Sequence, residues 1–266
     1  MRLKNRIAIV TGAASGIGLA IVRRLLSEGA MVAAADVNAD ALVQQKFPEQ
    51  VKTFEVDLRN EGEVEELLTG TIEHFGALDV CFNSAGVSRS DYILDMQEAD
   101  WELTNDVCLK SIMFCMKYQG RQLVRQNKGG AIVNIASICT SMPIFGGSSY
   151  TSAKAGVEML TKNAALEFAQ FGVRVNAISP GLVRTAMTEH FFAQRDIVDG
   201  FLSRIPLGFV ASPDDIAAPA IFLATDDAKY VSGAALLVDG AWSVSGYPDM
   251  RPYRSKSQFV ESLAEK

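Results

Sequence analysis

Arg6-Ile7-Ala8-Ile9-Val10-Thr11-Gly12-Ala13-Ala14-Ser15-Gly16-Ile17-Gly18 carries an apolar run straight into a glycine-rich turn. Arg6–Val10 has the length and β-branched content of a buried strand. From Ile17 to Leu26 apolar residues recur at helical spacing, and Gly29 ends them. Between strand and helix, the glycines let the backbone turn tightly and approach an anion closely. The helix start adds free N–H groups and the positive end of its dipole. The spacing G-x-x-x-G-x-G differs from the common G-x-G-x-x-G fingerprint, and no Gly-Lys-Ser/Thr ends it as in a P-loop. Gly12, Ser15, Gly16, Ile17 and Gly18 are therefore candidates to cradle a phosphate or pyrophosphate.

Outward from this turn the same alternation repeats. Met31–Ala35, Val51–Val56, Leu78–Phe82, Ala131–Ile135, Val173–Ile178 and Ala234–Val238 read as short apolar strands. Glu61–Phe75, with its acidic start, and Tyr150–Phe171 read as long helices. Val/Ile/Ala-rich strands separated by helices imply a parallel sheet buried on both faces. The expected fold is α/β, a single-domain Rossmann-type doubly wound sheet over residues 1–242. There is no Pro/Gly/Ser linker, low-complexity stretch or internal repeat to divide it. The polar tail, residues 243–266 with Pro248 and Pro252, admits two readings: loose chain, or packing on a neighbouring subunit.

Composition removes several function classes. A length of 266 residues, 48% apolar and 21% charged, is ordinary for one globular α/β domain. No apolar run approaches the ~18 residues of a membrane span. The apolar start is cut short by Thr11-Gly12, so a signal peptide is not expected. A net charge of −6 argues against nonspecific nucleic-acid binding. Cys81, Cys108, Cys115 and Cys139 form no C-x-x-C pair and read as reduced thiols of a cytoplasmic protein. With only His74 and His190, each expected to be solvated or locally hydrogen-bonded, no metal site is anticipated.

Asp36 closes the second strand, twenty-four residues after Gly12. A carboxylate there can accept from both hydroxyls of a ribose and would repel a 2′-phosphate. Ala13, Ala14 and Ser15 supply no cation to offset that repulsion, which favours NAD over NADP. Tyr150 and Lys154 stand four apart, on one helix face, and Ser137 precedes the tyrosine by thirteen residues. A phenol with pKa near 10 is a poor base at neutral pH, and lowering it by about three units takes roughly 4 kcal/mol. One cation about 4 Å away supplies roughly that at an effective dielectric near 20. Lys154 is thus expected to hold the Tyr150 phenol down and make it an acid/base group.

With these segments assembled, the chain resembles the short-chain dehydrogenases/reductases from about Leu3 to Trp242. The Thr11–Gly18 turn, Asp57-Leu58, Asn83-Ser84-Ala85-Gly86, Ser137, Tyr150, Lys154, Asn176 and Pro180-Gly181 with Thr185 follow the family's order and spacing. The resemblance implies that Asp57 and Leu58 contact the adenine and that Asn83 and Gly86 line the adenosine ribose side. Val183 and Thr185, after Pro180, would hold the nicotinamide carboxamide. Lys154 would also bind the nicotinamide ribose. A homotetramer is implied too, with segments Cys108–Tyr118 and Tyr150–Phe171 apolar enough to pair.

Three positions depart from the family pattern. Ser84 replaces an asparagine, Asp239-Gly240-Ala241 replaces an aspartate with two glycines, and Cys108 stands where the family has an asparagine seven residues after Trp101. A thiol is not expected to copy an amide's donor and acceptor set. Cys108 is read as a buried, inert cysteine, and Asn105 receives no role. The expected chemistry is hydride transfer between NAD(H) and a secondary alcohol or ketone. Ser137 and Tyr150 would hold the substrate oxygen. Ile138, Cys139, Met142, Ile144, Val87, Met187, Phe191 and Phe192 would form a hydrophobic pocket for a cyclic or aromatic body. A 3-oxoacyl reductase of the same fold, or a low-turnover NAD(H)-binding regulator, is the alternative.

Overall fold

The computed structural model describes residues 1–246. The remainder of the tail, on which the subunit-packing reading mostly falls, lies outside the described residues. The chain runs β1 (Ile7–Thr11), α1 (Gly16–Ser27), β2 (Met31–Asp36), α2 (Ala39–Gln44), β3 (Val51–Glu55), α3 (Glu61–Phe75) and β4 (Val80–Asn83). It continues through α4 (Glu98–Asn105), a π-helical turn (Asp106–Lys110), α5 (Ser111–Gln126), β5 (Gly130–Ile135) and α6 (Ser148–Phe168). Then follow β6 (Val173–Pro180), α7 (Arg195–Leu202), α8 (Pro213–Ala224) and β7 (Ala235–Val238).

The seven strands form one parallel sheet in the order β3-β2-β1-β4-β5-β6-β7. Strand periodicity sends alternate residues to two separate cores. Ala8, Val10, Val32 and Ala34 pack on one face with Ile21 and Leu25 of α1 and Ile216 and Ile221 of α8. Ile9, Ala33, Cys81 and Ile132 pack on the other with Leu67 of α3, Ile112 and Leu123 of α5 and Val157 of α6. Central strands are buried along their length, whereas the edge strands β3 and β7 are half-exposed. The doubly wound single domain is therefore as the strand–helix alternation implies.

Local chemistry explains the boundaries. Asn60 caps α3 by accepting from Gly62 N, and Gly76 ends it in the left-handed region at φ 83°. Ser212 and Asp215 cap α8 reciprocally, with Pro213 in its first turn. Leu78 falls outside β4, contrary to the apolar-run reading, because the Gln126 side chain takes both its N–H (2.9 Å) and its carbonyl (2.7 Å). Helix α6 begins at Ser148 rather than Tyr150, and its last turn tightens into a 3-10 segment, Ala169–Phe171, that Gly172 stops at φ 70°.

β1 and β4 are neighbours in the sheet although β2 and β3 lie between them in sequence, so chain direction across the sheet reverses there. A crevice must open at the carboxyl ends of strands on either side of such a reversal.

Candidate active site

A cavity of about 550 Å³ occupies that crevice. Gly12, Ser15, Gly16, Ile17 and Gly18 form its floor, Asp36, Asp57 and Leu58 one end, and Ser137, Tyr150 and Lys154 the other. Gly86, Pro180, Val183 and Thr185 complete the walls. One cavity thus brings together every residue expected to bind the dinucleotide or exchange the proton except Asn83.

The floor is bare backbone because no side chain fits. A Cβ on Gly12, whose φ is +65°, would lie 2.9 Å from the Ala85 Cα. One on Gly18 would lie 2.1 Å from the Gly12 carbonyl oxygen. Ser15 is the N-cap of α1, yet its hydroxyl makes no capping bond, which leaves the first helical amides open toward the cavity. Bare backbone at a helix N-terminus of this kind can cradle an anion.

Asp36 does two things with one carboxylate. Its Oδ2 accepts from Ala14 N and its Oδ1 from Asn38 N, both at 3.0 Å, which ties the glycine turn to β2. Each oxygen keeps a lone pair for a ligand hydroxyl. Asp57 is not a helix cap, since Asn60 has that duty. Its carboxylate is gripped by the Arg59 guanidinium (2.6–3.0 Å), whose hydrogen bonds hold it below the usual carboxylate range. Arg59 itself lines the cavity, and the sequence reading overlooked it. The two residues lie between β3 and α3, where neither helix nor strand periodicity pairs side chains.

Asn83 is a correction. Its side chain is fully buried beneath the cavity instead of lining it. The amide exchanges two bonds with Gln119 (3.1 and 2.8 Å) and donates to Asn134 (2.8 Å), which in turn donates to Thr161 (2.9 Å). A buried amide goes where its donors and acceptors are all met, and Gln119 supplies that match. Asn176 has a similar structural role, bridging Val231 O and Ala234 N.

Ser137 is buried at the end of β5, its hydroxyl accepting from Cys139 N at 3.1 Å. Helix α6 places Tyr150 and Lys154 one turn apart, with the ammonium 5.7 Å from the phenol ring centroid. Lys154 is buried and donates to Ile135 O at 2.7 Å. Here the electrostatic expectation fails. Burial pushes the Tyr150 phenol well above its ordinary value, opposed by the Ser137 hydroxyl. Burial also draws the Lys154 ammonium down. A cation anchored on a carbonyl does not overcome the phenol's lost solvation.

Cys108 is buried, as expected, and its thiol is hydrogen-bonded as well. It sits in the π-helical turn and donates to Val87 O at 3.0 Å while accepting from Val87 N at 3.4 Å. Sulfur is a weak donor and a weak acceptor, but here it serves as both. Asn105 turns back on Trp101 O (2.9 Å).

Of the eight residues expected to form the substrate pocket, only Val87 and Met187 line this cavity. Ile138 belongs to the core, Ile144 is exposed, Phe191 stacks on Phe201, and Phe192 lies under the Arg184 guanidinium. Leu103 and Val107 supply apolar wall instead, brought in by α4 and the π turn. The half of the cavity around Tyr150 offers no charged side chain but Lys154. His74 and His190 are exposed, and no cluster of three metal-ligating side chains exists among the described residues. Cys81, Cys108, Cys115 and Cys139 are free thiols. No helix among the described residues is long and apolar enough to cross a membrane.

The chain is similar to known proteins along most of its length. Residues 12–243 match the family model described as enoyl-(acyl carrier protein) reductase. A 3-oxoacyl-[acyl-carrier-protein] reductase of Thermotoga maritima is 34% identical, across 90% of this chain and 98% of the relative. The 2-(R)-hydroxypropyl-CoM dehydrogenase of Xanthobacter autotrophicus is 36% identical, across 90% and 99%. Among solved structures, levodione reductase superposes with a TM-score of 0.88 at 32% identity, covering 92% of this chain and 100% of the other.

Proposed function

The chain belongs to the short-chain dehydrogenase/reductase family, an oxidoreductase family that binds a nicotinamide dinucleotide, and on that premise we propose that it interconverts secondary alcohols and ketones with NAD(H). The observation that carries the reading is the placement of Ser137, Tyr150 and Lys154 on one wall of a cavity whose other end is a glycine cradle closed by Asp36. Bound there, the nicotinamide supplies the hydride acceptor or donor. The chain supplies position and protons. Ser137 donates a hydrogen bond to the reacting oxygen as charge develops on it. Tyr150 exchanges the proton. Because burial holds the phenol protonated, it is set up first as an acid that delivers its proton to the oxygen of a ketone being reduced. Lys154 reaches from beneath with donors to spare for a ribose hydroxyl. Gly12, Ser15, Gly16, Ile17 and Gly18 take the pyrophosphate, and Asp36 the adenosine ribose. Asp57, Leu58 and Gly86 pack the adenosine side, and Pro180, Val183 and Thr185 border the carboxamide.

Asp36 supports NAD, since a 2′-phosphate would meet its carboxylate, and Arg59 is already neutralised by Asp57. The apolar wall of Val87, Leu103, Val107 and Met187 supports a hydrophobic, cyclic or aromatic substrate body. A second reading, reduction of carrier-bound 3-oxoacyl groups, is favoured by the likeness to the Thermotoga reductase. Exposed apolar residues on α5 and α6 (Met113, Met159 and Leu166) and on α8 and β7 (Phe222, Leu236 and Leu237) support a homotetramer. Free, mostly buried thiols suit a reducing compartment, the cytoplasm.

The test is a panel of secondary alcohols and ketones, with a 3-oxoacyl thioester, assayed with NADH and NADPH in parallel. Hydrophobic ketones reduced with NADH, and a Tyr150→Phe variant that binds NADH but loses turnover by ~10³-fold or more, meet the proposal. A Tyr150→Phe variant that keeps most of its rate would sink it, and strong NADPH preference with the thioester would select the second reading.

A further inference from the structure

We propose that a second cavity, at the amino ends of the strands, binds a small phosphorylated ligand through Lys128, Arg174 and Lys229. This site is separate from the dinucleotide crevice and needs none of the roles given above. In a parallel sheet all amino ends share one edge, so the cavity lies at the opposite end of the strands from the crevice. Arg6 and Asp79 stand just before β1 and β4, and Gly130 and Arg174 lie in the first residues of β5 and β6. Its volume of about 540 Å³ is close to the 550 Å³ of the crevice. Glycine draws the walls together. Gly129 is left-handed at φ +71°, and a Cβ on it would lie 2.7 Å from the Gly172 carbonyl oxygen. The turn carrying Lys128 therefore packs directly on the turn that leads to Arg174, two residues past Gly172. Lys229 arrives from a third segment, after α8.

The charge here runs against the chain. Five lining residues are cationic and two anionic, in a protein of net charge −6. Asp79 is occupied, accepting from Arg6 (2.9 Å) and from Ile7 N (2.8 Å), and Arg2 is held by Glu28 (2.6 Å). Lys128, Arg174 and Lys229 make no ion pair among the described residues, and neither lysine ammonium has a hydrogen-bond partner there. Asp226 is the one lining carboxylate left to face these three cations, which leaves an excess of two positive charges. Arg174 is half-buried and donates to Leu223 O (2.7 Å), Val231 O (3.4 Å) and Thr225 O (3.0 Å). Burial draws its guanidinium down from the ordinary value, opposed by the Asp226 charge. Neutral carbonyls fix the fork in place, and two of its five N–H donors remain for a ligand. The Ser232 hydroxyl accepts from Val175 N (3.2 Å) and keeps its own proton to donate. A phosphate near pH 7 carries close to two negative charges and accepts through several oxygens, which matches both the excess charge and the free donors better than a single carboxylate does.

Calorimetric titration of pyrophosphate into the full-length protein saturated with NADH tests the site. Native protein should bind one pyrophosphate per chain with the crevice already filled. Lys128→Ala combined with Lys229→Ala should weaken that binding about tenfold or more, since each ammonium offers a charge-assisted bond. The melting temperature and NADH affinity of this double variant should match native protein, because both lysines are exposed and outside the crevice. Lys52→Ala combined with Arg125→Ala removes the same charge from exposed positions outside the cavity and should leave pyrophosphate binding nearly native. Failure of NADH-saturated protein to bind pyrophosphate would overturn the proposal. So would equal affinity in native and Lys128→Ala/Lys229→Ala protein, or an equal loss in the control pair, which is the mark of diffuse surface charge. If native protein binds no NADH, the functional reading fails separately, and the titration without NADH decides the site by the same two double variants.

Discussion

Gly18→Ala sets two physical effects against each other inside the cradle. Gly18 is the third residue of α1, and its φ lies outside the left-handed region. By helix propensity, alanine there should stabilise by about 1 kcal/mol. Packing predicts the opposite. The new methyl would sit 2.1 Å from the Gly12 carbonyl oxygen and 2.7 Å from its carbon, far inside van der Waals contact. The turn has nowhere to retreat, because Gly12 is itself wedged against the Ala85 backbone. Overpacking a site that cannot relax costs about 1–3 kcal/mol or more, which outweighs the propensity gain. The expected net loss is about 1–2 kcal/mol, a fall in melting temperature of roughly 2–8 °C for a chain of this size. Displaced turn amides should weaken NADH binding by about tenfold or more. Thermal melting and NADH fluorescence titration measure both. The control is Gly62→Ala at the start of α3, where the nearest atom is the Asn60 Oδ1 at 3.4 Å. That variant should follow propensity and be neutral or stabilising. A Gly18→Ala protein that melts higher than native and binds NADH equally well would refute the reasoning.

Further expectations concern the walls and the layer beneath. Gln119→Leu strands the Asn83 amide, which should lower stability by about 1–3 kcal/mol in urea titration while leaving NADH affinity nearly unchanged. Asp36→Asn should weaken NADH binding and raise the NADPH/NADH preference ratio, because it removes the charge facing a 2′-phosphate. The Tyr150 phenol, raised by burial, links stability to pH with a definite sign. Its contribution is present below the unfolded value near 10 and is lost as pH rises above it, since only the unfolded chain then releases the proton. Lys154, lowered by burial, acts in the opposite sense but equally in native and Tyr150→Phe protein. The urea midpoint of native protein should therefore fall more than that of Tyr150→Phe between pH 8 and 11. Equal falls would contradict the assigned cause.

Strands and helices were legible because their signals are local: apolar period, a glycine or asparagine at an end, a capping side chain. The misses came from contacts between segments far apart in sequence. Leu78 looked like strand until Gln126, distant in sequence, took its backbone groups. The glycine cradle, Asp36, Ser137, Tyr150 and Lys154 could be marked from residue type and spacing, and all line one cavity. Arg59, Leu103 and Val107 could not, since nothing in their spacing announces that they face it. Asn83 matched its motif, yet its side chain turned to Gln119 because that buried pairing satisfies both amides.

From the chain alone, then, came the parallel α/β architecture and the identity of the groups able to bind a dinucleotide and exchange a proton. Both depend on periodicity and functional-group chemistry, which are properties of neighbouring residues. Which groups meet, and in what medium, was decided only by tertiary structure. Folding buried Tyr150 enough to raise the phenol that Lys154 was expected to lower, and bent a π turn so that a thiol could hold Val87 from both sides. Solvation and partner geometry are sums over segments far apart in sequence, and no local pattern encodes them.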